Sequence, residues 1–178
     1  MTKILFTTSV TPYPTDPWNE IMTDGAAQRF TKGQDIFTIN AHAHCHANHL
    51  LAQNISIPSE ILEYPSWDIF TKKIDEKYDY IGISFFPMHM DNVLRMCKHI
   101  RKKSPATKIM LGSYGAQSFA AAFSEEEAKE YADHVCLGEG IQFLRSLLGE
   151  PVDAPVGERL LPKCGGTADK RAGLCRRM

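Results

Sequence analysis

Five times along this chain a short apolar run of strand length is followed by a segment with helical periodicity, and that alternation narrows the fold more than any other feature. The pairs are "KILFTT" with "ANHLLAQ", "EILEY" with "WDIFTKKIDEK", "YIGIS" with "DNVLRMCKHIRKK", "KIMLG" with "SEEEAKEYA", and "HVCLG" with "IQFLRSLLG". Strand, helix, strand implies parallel pairing, because a parallel neighbour needs a crossover and crossovers are nearly always right-handed. Helices then cover both faces of one sheet.

The expected architecture is therefore a doubly wound α/β fold, flavodoxin-like or Rossmann-like, with five parallel strands in the order 2-1-3-4-5. Ligands of such sheets bind beyond the carboxyl ends of the strands, where the order reverses between strands 1 and 3. The helix after the third strand carries Val93, Leu94, Met96, Cys97 and Ile100 on one side, with Asp91 as its expected cap and Arg101, Lys102 and Lys103 in its last turn. Ser124 and Glu127 have capping-box spacing.

At 178 residues with 43% hydrophobic content the chain has enough material for one ordinary core. Residues 1–150 read as the α/β domain. Within them, residues 11–39, with three prolines in "TPYPTDP", are too long for an ordinary connection and read as an insertion or lid. Residues 151–178 lose periodicity, gain Gly, Pro and Arg, and read as a mostly disordered tail.

A formal charge of -1 and the lack of an eighteen-residue apolar run argue against nucleic acid and membrane as partners. The first apolar run reads as a strand, since no small-residue cleavage pattern follows it. Five scattered cysteines form no C-x-x-C pair and fit a reducing cytoplasm.

Three neighbouring strands end in small residues: Gly82 and Ser84 in "YIGISFFPMHMD", Gly112, Ser113 and Gly115 in "IMLGSYGAQS", and Gly138 and Gly140 around Glu139 in "VCLGEGIQF". Small residues at a carboxyl end let a ligand approach the backbone, and a hydroxyl there can hold one of its polar atoms. Neither a P-loop nor G-x-G-x-x-G is present.

The succession of "GISFF" (82–86), "KIMLGSYGA" (108–116) and "HVCLGEGIQFLRSLL" (134–148) resembles the N-terminal cobalamin-binding domain of cobalamin-dependent radical S-adenosylmethionine enzymes, over roughly residues 1–150. The resemblance implies cobalamin (vitamin B12) as cofactor. By it, Ser84 with Phe86 stands for the S-x-L motif, with Phe in place of Leu. Gly112 with Ser113 stands for the Gly-Gly pair, with Ser in place of the second Gly. The corrin would lie over the ends of strands 1, 3 and 4, with its nucleotide tail reaching between Ser84 and Gly112. Thr8, Ser9, Phe85, Tyr114, Gly138, Glu139 and Gly140 complete the implied cofactor-binding set.

The stretch "INAHAHCHANHLL" (39–51) places His42, His44, His46 and His49 at the first strand-helix junction. The D-x-H-x-x-G motif that supplies the family's cobalt-ligating histidine is missing. Yet His44 precedes Ser84 by 40 residues (84 minus 44), close to the family spacing. Three readings stay open: pocket-lining residues (His42, His44, His46), a cobalt ligand (His44 first), or an independent zinc or iron site. His42, His46 and His49 can share a helical face. His89, between two methionines, is a further residue able to approach the corrin.

The C-x-x-x-C-x-x-C motif that holds an iron-sulfur cluster does not occur. The expectation is a cobalamin-binding module that does not catalyse radical chemistry by itself. It would be either truncated or a stand-alone partner of a radical S-adenosylmethionine catalytic domain or subunit. Two other readings are a histidine-cluster metal protein or metal-dependent enzyme, and a degenerate domain with a protein-interaction role.

Overall fold

A computed structural model describes residues 2–10, 45–157 and 174–175. Five strands, β1 (Ile4–Thr8), β2 (Ser59–Leu62), β3 (Tyr80–Ser84), β4 (Lys108–Gly112) and β5 (His134–Val135), form a parallel sheet in the order 2-1-3-4-5. This is the topology read from the alternation of apolar runs. A sixth strand, β6 (Leu174–Cys175), joins antiparallel along the free edge of β2, within the segment whose composition reads as a tail.

Among the described residues six helices cover the sheet: α1 (His46–Gln53), α2 (Trp67–Ile74), α3 (Met90–Lys103), α4 (Tyr114–Ala122), α5 (Glu125–Tyr131) and α6 (Gly140–Leu148). Alternate strand residues divide the interior in two, as a parallel sheet buried on both faces requires. Leu5, Ile81, Ile83, Ile109 and Leu111 pack with Phe70, Val93, Met96, Ile100 and Phe119 from α2, α3 and α4. Ile4, Phe6 and Met110 pack with Ala52 of α1 and Leu144 of α6.

The helix after β3 buries Val93, Met96, Cys97 and Ile100, with Leu94 packed beside them. Its start departs from expectation. A 3-10 turn over Pro87–His89 leads into it, His89 is the N-cap, and Asp91 lies in the first turn. Asp91 thus contributes its charge near the positive helix end and is not the cap. The Ser124 capping box is formed, Ser124 Oγ accepting from Glu127 N and the Glu127 carboxylate accepting from Ser124 N. No helix among the described residues is long and apolar enough to cross a membrane.

Helix α4 is an addition to the pattern. Sequence periodicity places one helix between the fourth and fifth strands, whereas the chain forms two, because "YGAQSFAAA" coils directly after β4. Gly115 makes this possible, since a Cβ there would lie 2.3 Å from the Phe85 ring. Gly82 has a core role as well: a Cβ would lie 2.9 Å from Phe6 Cδ1.

Residues 151–157, grouped by composition with the tail, pack on α1 and α6. Arg145 is 5% exposed and donates to the carbonyls of Asn54 (3.0 Å), Ala154 and Pro155 (3.3 Å). Gly157 N donates to Asn54 Oδ1 (2.8 Å) and Asn54 Nδ2 donates back to Gly157 O (3.2 Å).

Candidate functional site

Register places Thr8, Ser84 and Gly112 at one level, Thr8 opposite Ser84 and Ser84 opposite Gly112, at the carboxyl ends of β1, β3 and β4. The three ends differ in what they offer. Thr8 and Ser9 are 4% and 2% exposed, and the Thr8 hydroxyl accepts from Tyr64 N at 2.6 Å. Thr7 Oγ1 donates to Leu62 O at 2.8 Å. These residues tie β1 to the end of β2, so the β1 end is closed.

The first turn of α1 is fastened over this closed end. Glu63, just past β2, accepts from Cys45 N and lies 3.4 Å from His49 Nε2. Ser84 Oγ donates to Asn48 Oδ1 at 2.6 Å. Asn48 is fully buried and its Nδ2 has no partner among the described residues. Burial pushes the Cys45 thiol up from its ordinary value, against hydrogen bonds that pull it down, so it stays protonated at neutral pH.

Beyond Ser84 the edge opens. Phe85 turns inward, 2% exposed, against Gly115. Phe86 turns outward, 38% exposed, and its ring stacks on Tyr114, with centroids 5.9 Å apart and planes 19° apart. Tyr114 is 68% exposed, and Met88 and Leu137 are 54% each. Large apolar side chains gathered on one exposed edge mark a binding surface more often than chance placement does.

A groove of about 190 Å³ runs between the ends of β4 and β5, lined by Ser113, Tyr114, Gln117, Cys136, Leu137 and Gly138. Gly112 and Gly138 are both open among the described residues: a Cβ at either would meet no described atom within 4 Å. Neither has a positive φ. Their small size is thus explained neither by packing within the described chain nor by backbone conformation, in contrast to Gly82 and Gly115.

Ser113 is the reverse case. Its φ of 68° and ψ of -170° fall where glycine is at ease and other residues are strained by roughly 1–3 kcal/mol. It is the N-cap of α4, but its side chain makes no cap hydrogen bond. Burial also raises the Cys136 thiol, which remains protonated at neutral pH.

Glu139 has a structural task that accounts for it. It caps α6, its carboxylate oxygens accepting from Ile141 N (3.0 Å) and Gln142 N (2.6 Å). Gly140 lets α6 approach α1, with Leu51 Cδ2 3.0 Å from where a Cβ would sit. A larger groove, about 480 Å³, lies between α1, α6 and residues 152–156. It is on the helical face, and its buried cation, Arg145, is engaged with carbonyl oxygens, so we place the site at the strand ends.

Of the histidine cluster, His46 is exposed at the start of α1, His49 faces Glu63, and His42 and His44 lie outside the described residues. Among the described residues no group of three His, Cys, Asp or Glu side chains could hold a metal ion. His89 is 3% exposed within the turn before α3. The structure thus brings Ser84, Phe86, Gly112, Ser113, Tyr114 and Gly138 together on one edge and leaves Thr8, Ser9 and Phe85 buried beneath it.

Gln117 and Leu137 on this edge, and Asn48 and Glu63 at the closed end beside it, were not legible as site residues. Asn48 reads as a surface position of a polar helix, and only its distance to Ser84 reveals it. The chain matches no family model, no curated protein and no solved structure.

Proposed function

We propose that the chain is a cobalamin-binding module that carries the cofactor on the open edge formed by the ends of β3, β4 and β5. One observation carries the reading. Gly112 and Gly138 leave room for which the described chain has no use, directly beside the exposed apolar faces of Phe86, Tyr114 and Leu137. A broad ring with apolar faces and an amide-bearing rim matches such a surface, where backbone can be approached closely between apolar platforms. The topology supports it too, since ligands of doubly wound sheets bind at this end.

In this reading Phe86, Tyr114 and Leu137 cover the corrin, while Gly112, Ser113 and Gly138 admit its periphery. The groove between β4 and β5 is smaller than a drug-sized ligand needs, so much of the contact is with the open edge. Ser84 contributes through its bond to Asn48, which fixes α1 against β3. Bound cobalamin supplies a cobalt centre able to carry a methyl group. The chain's part is to bind and orient it, and a separate radical S-adenosylmethionine domain or subunit supplies the iron-sulfur chemistry for which this sequence has no motif. A cobalt ligand at His44 and a cytoplasmic setting belong to the same proposal.

The same apolar edge favours a second reading, a protein-interaction domain that has kept the fold without the cofactor. The test is to incubate the purified protein with hydroxocobalamin, remove free cofactor by gel filtration, and record the visible spectrum with metal analysis. Corrin absorbance near one equivalent is expected. A colourless protein overturns the cofactor reading, and zinc near one equivalent without corrin would point to the histidine cluster instead.

A further inference from the structure

Ser113 combines three properties that nothing inside the described chain explains. Its backbone lies in a left-handed region that glycine occupies freely and that strains any residue with a Cβ. Its hydroxyl caps nothing and has no partner among the described residues. The usual preference for serine at an N-cap does not apply, because it depends on a β-region backbone and a bond to the helix N–H groups. Finally, its side chain is exposed in the groove between β4 and β5, flanked by Gly112 and facing Gly138. Gln117 lines the same groove one helical turn on.

A glycine at this position would relieve the backbone and lose no side-chain hydrogen bond within the described chain. We infer that Ser113 is a specificity-determining residue: its hydroxyl hydrogen-bonds a polar atom of the ligand held on this edge, and the strained turn persists to present it. The ligand class is one whose rim carries hydrogen-bonding oxygen or nitrogen beside an apolar body, with Gln117 as a second polar contact. The assignment rests on the cofactor reading above.

The test compares wild type, Ser113→Gly and Ser113→Ala in two measurements. One is the thermal midpoint without ligand, and the other is the hydroxocobalamin dissociation constant from difference absorbance. Ser113→Gly is expected to raise the midpoint by about 2–8 °C and to weaken binding about three- to tenfold. Ser113→Ala keeps the strain, so it should weaken binding similarly without raising the midpoint. Equal affinity in all three proteins overturns the assignment while the cofactor reading stands. An unchanged midpoint in Ser113→Gly overturns the strain on which it depends. A wild type that retains no hydroxocobalamin overturns the cofactor reading and the assignment together.

Discussion

Ser84 and Gly112 are register partners at the carboxyl ends of β3 and β4, yet they face different surroundings: Ser84 is bonded to the buried Asn48, while Gly112 has no described atom within 4 Å of where a Cβ would sit. The boundary between closed and open edge runs between them. It predicts opposite outcomes for two glycine substitutions three residues apart. Gly112→Ala should leave stability unchanged or raise it by up to about 1 kcal/mol, through a less flexible unfolded chain. Gly115→Ala drives a methyl group into the Phe85 ring and should lower stability by about 1–3 kcal/mol or more. Urea denaturation of the two variants checks this, and equal midpoints would contradict the packing described.

Removing the Asn48 side chain tests the closed half. In Asn48→Ala the Ser84 hydroxyl loses its acceptor in a site with little access to water, and a small cavity opens beneath α1. A loss of about 1–3 kcal/mol is expected from chemical denaturation. Ser84→Ala should cost a similar amount, because it leaves the fully buried Asn48 amide with no hydrogen-bond partner among the described residues for either polar atom.

At the opposite end of the sheet, acid should destabilise the protein through an ionic network built around the buried Lys73. Lys73 is 5% exposed and reaches Glu60 at 2.5 Å and Glu76 at 2.7 Å, while Tyr78 donates to both carboxylates. Burial opposes the ionisation of Glu60, but hydrogen bonds from Lys73 and Lys3 outweigh it and hold its carboxyl at about 2, against an ordinary value of 4.5. A carboxyl depressed in the folded state stabilises fully above its unfolded value, and that stability is lost as pH falls through the folded one. The denaturation midpoint should therefore fall between pH 4.5 and about 2. In Lys73→Met the fall should be shallower. A midpoint indifferent to pH across that window would contradict the network.

Arg145 should govern residues 151–157. Its guanidinium holds the carbonyls of Ala154 and Pro155 against Asn54, so Arg145→Ala removes the bonds that fasten this segment. A loss of about 2–3 kcal/mol is expected, together with new cleavage within 151–157 under limited proteolysis. Unchanged cleavage would show that the Asn54–Gly157 pair alone suffices.

The sheet order was legible because each strand is a compact apolar run and each crossover helix has its own period. What the sequence hid follows from the same physics. Helix α4 begins with Tyr-Gly-Ala and has no charged face, so its small residues read as a turn. Strand β5 keeps only His134 and Val135 of "HVCLG" in the ladder, because the chain leaves the sheet edge after Cys136 N donates to Leu111 O. At the site, glycine was legible but its purpose was not. Gly82, Gly112, Gly115 and Gly138 look alike in sequence, and only their neighbours divide them into two that serve packing and two that are open among the described residues. The Glu63–His49 and Asn48–Ser84 contacts join residues far apart in the chain and left no local pattern.

The most direct measurement is corrin retention by wild type and by Gly112→Leu/Gly138→Leu, a pair of changes made where a Cβ would meet no described atom within 4 Å. About one equivalent of hydroxocobalamin is expected on the wild type after gel filtration, with its loss from a double variant whose circular dichroism is unchanged. A wild type that emerges without corrin, or a folded double variant that keeps it, would contradict a cofactor held on the open edge of β3, β4 and β5.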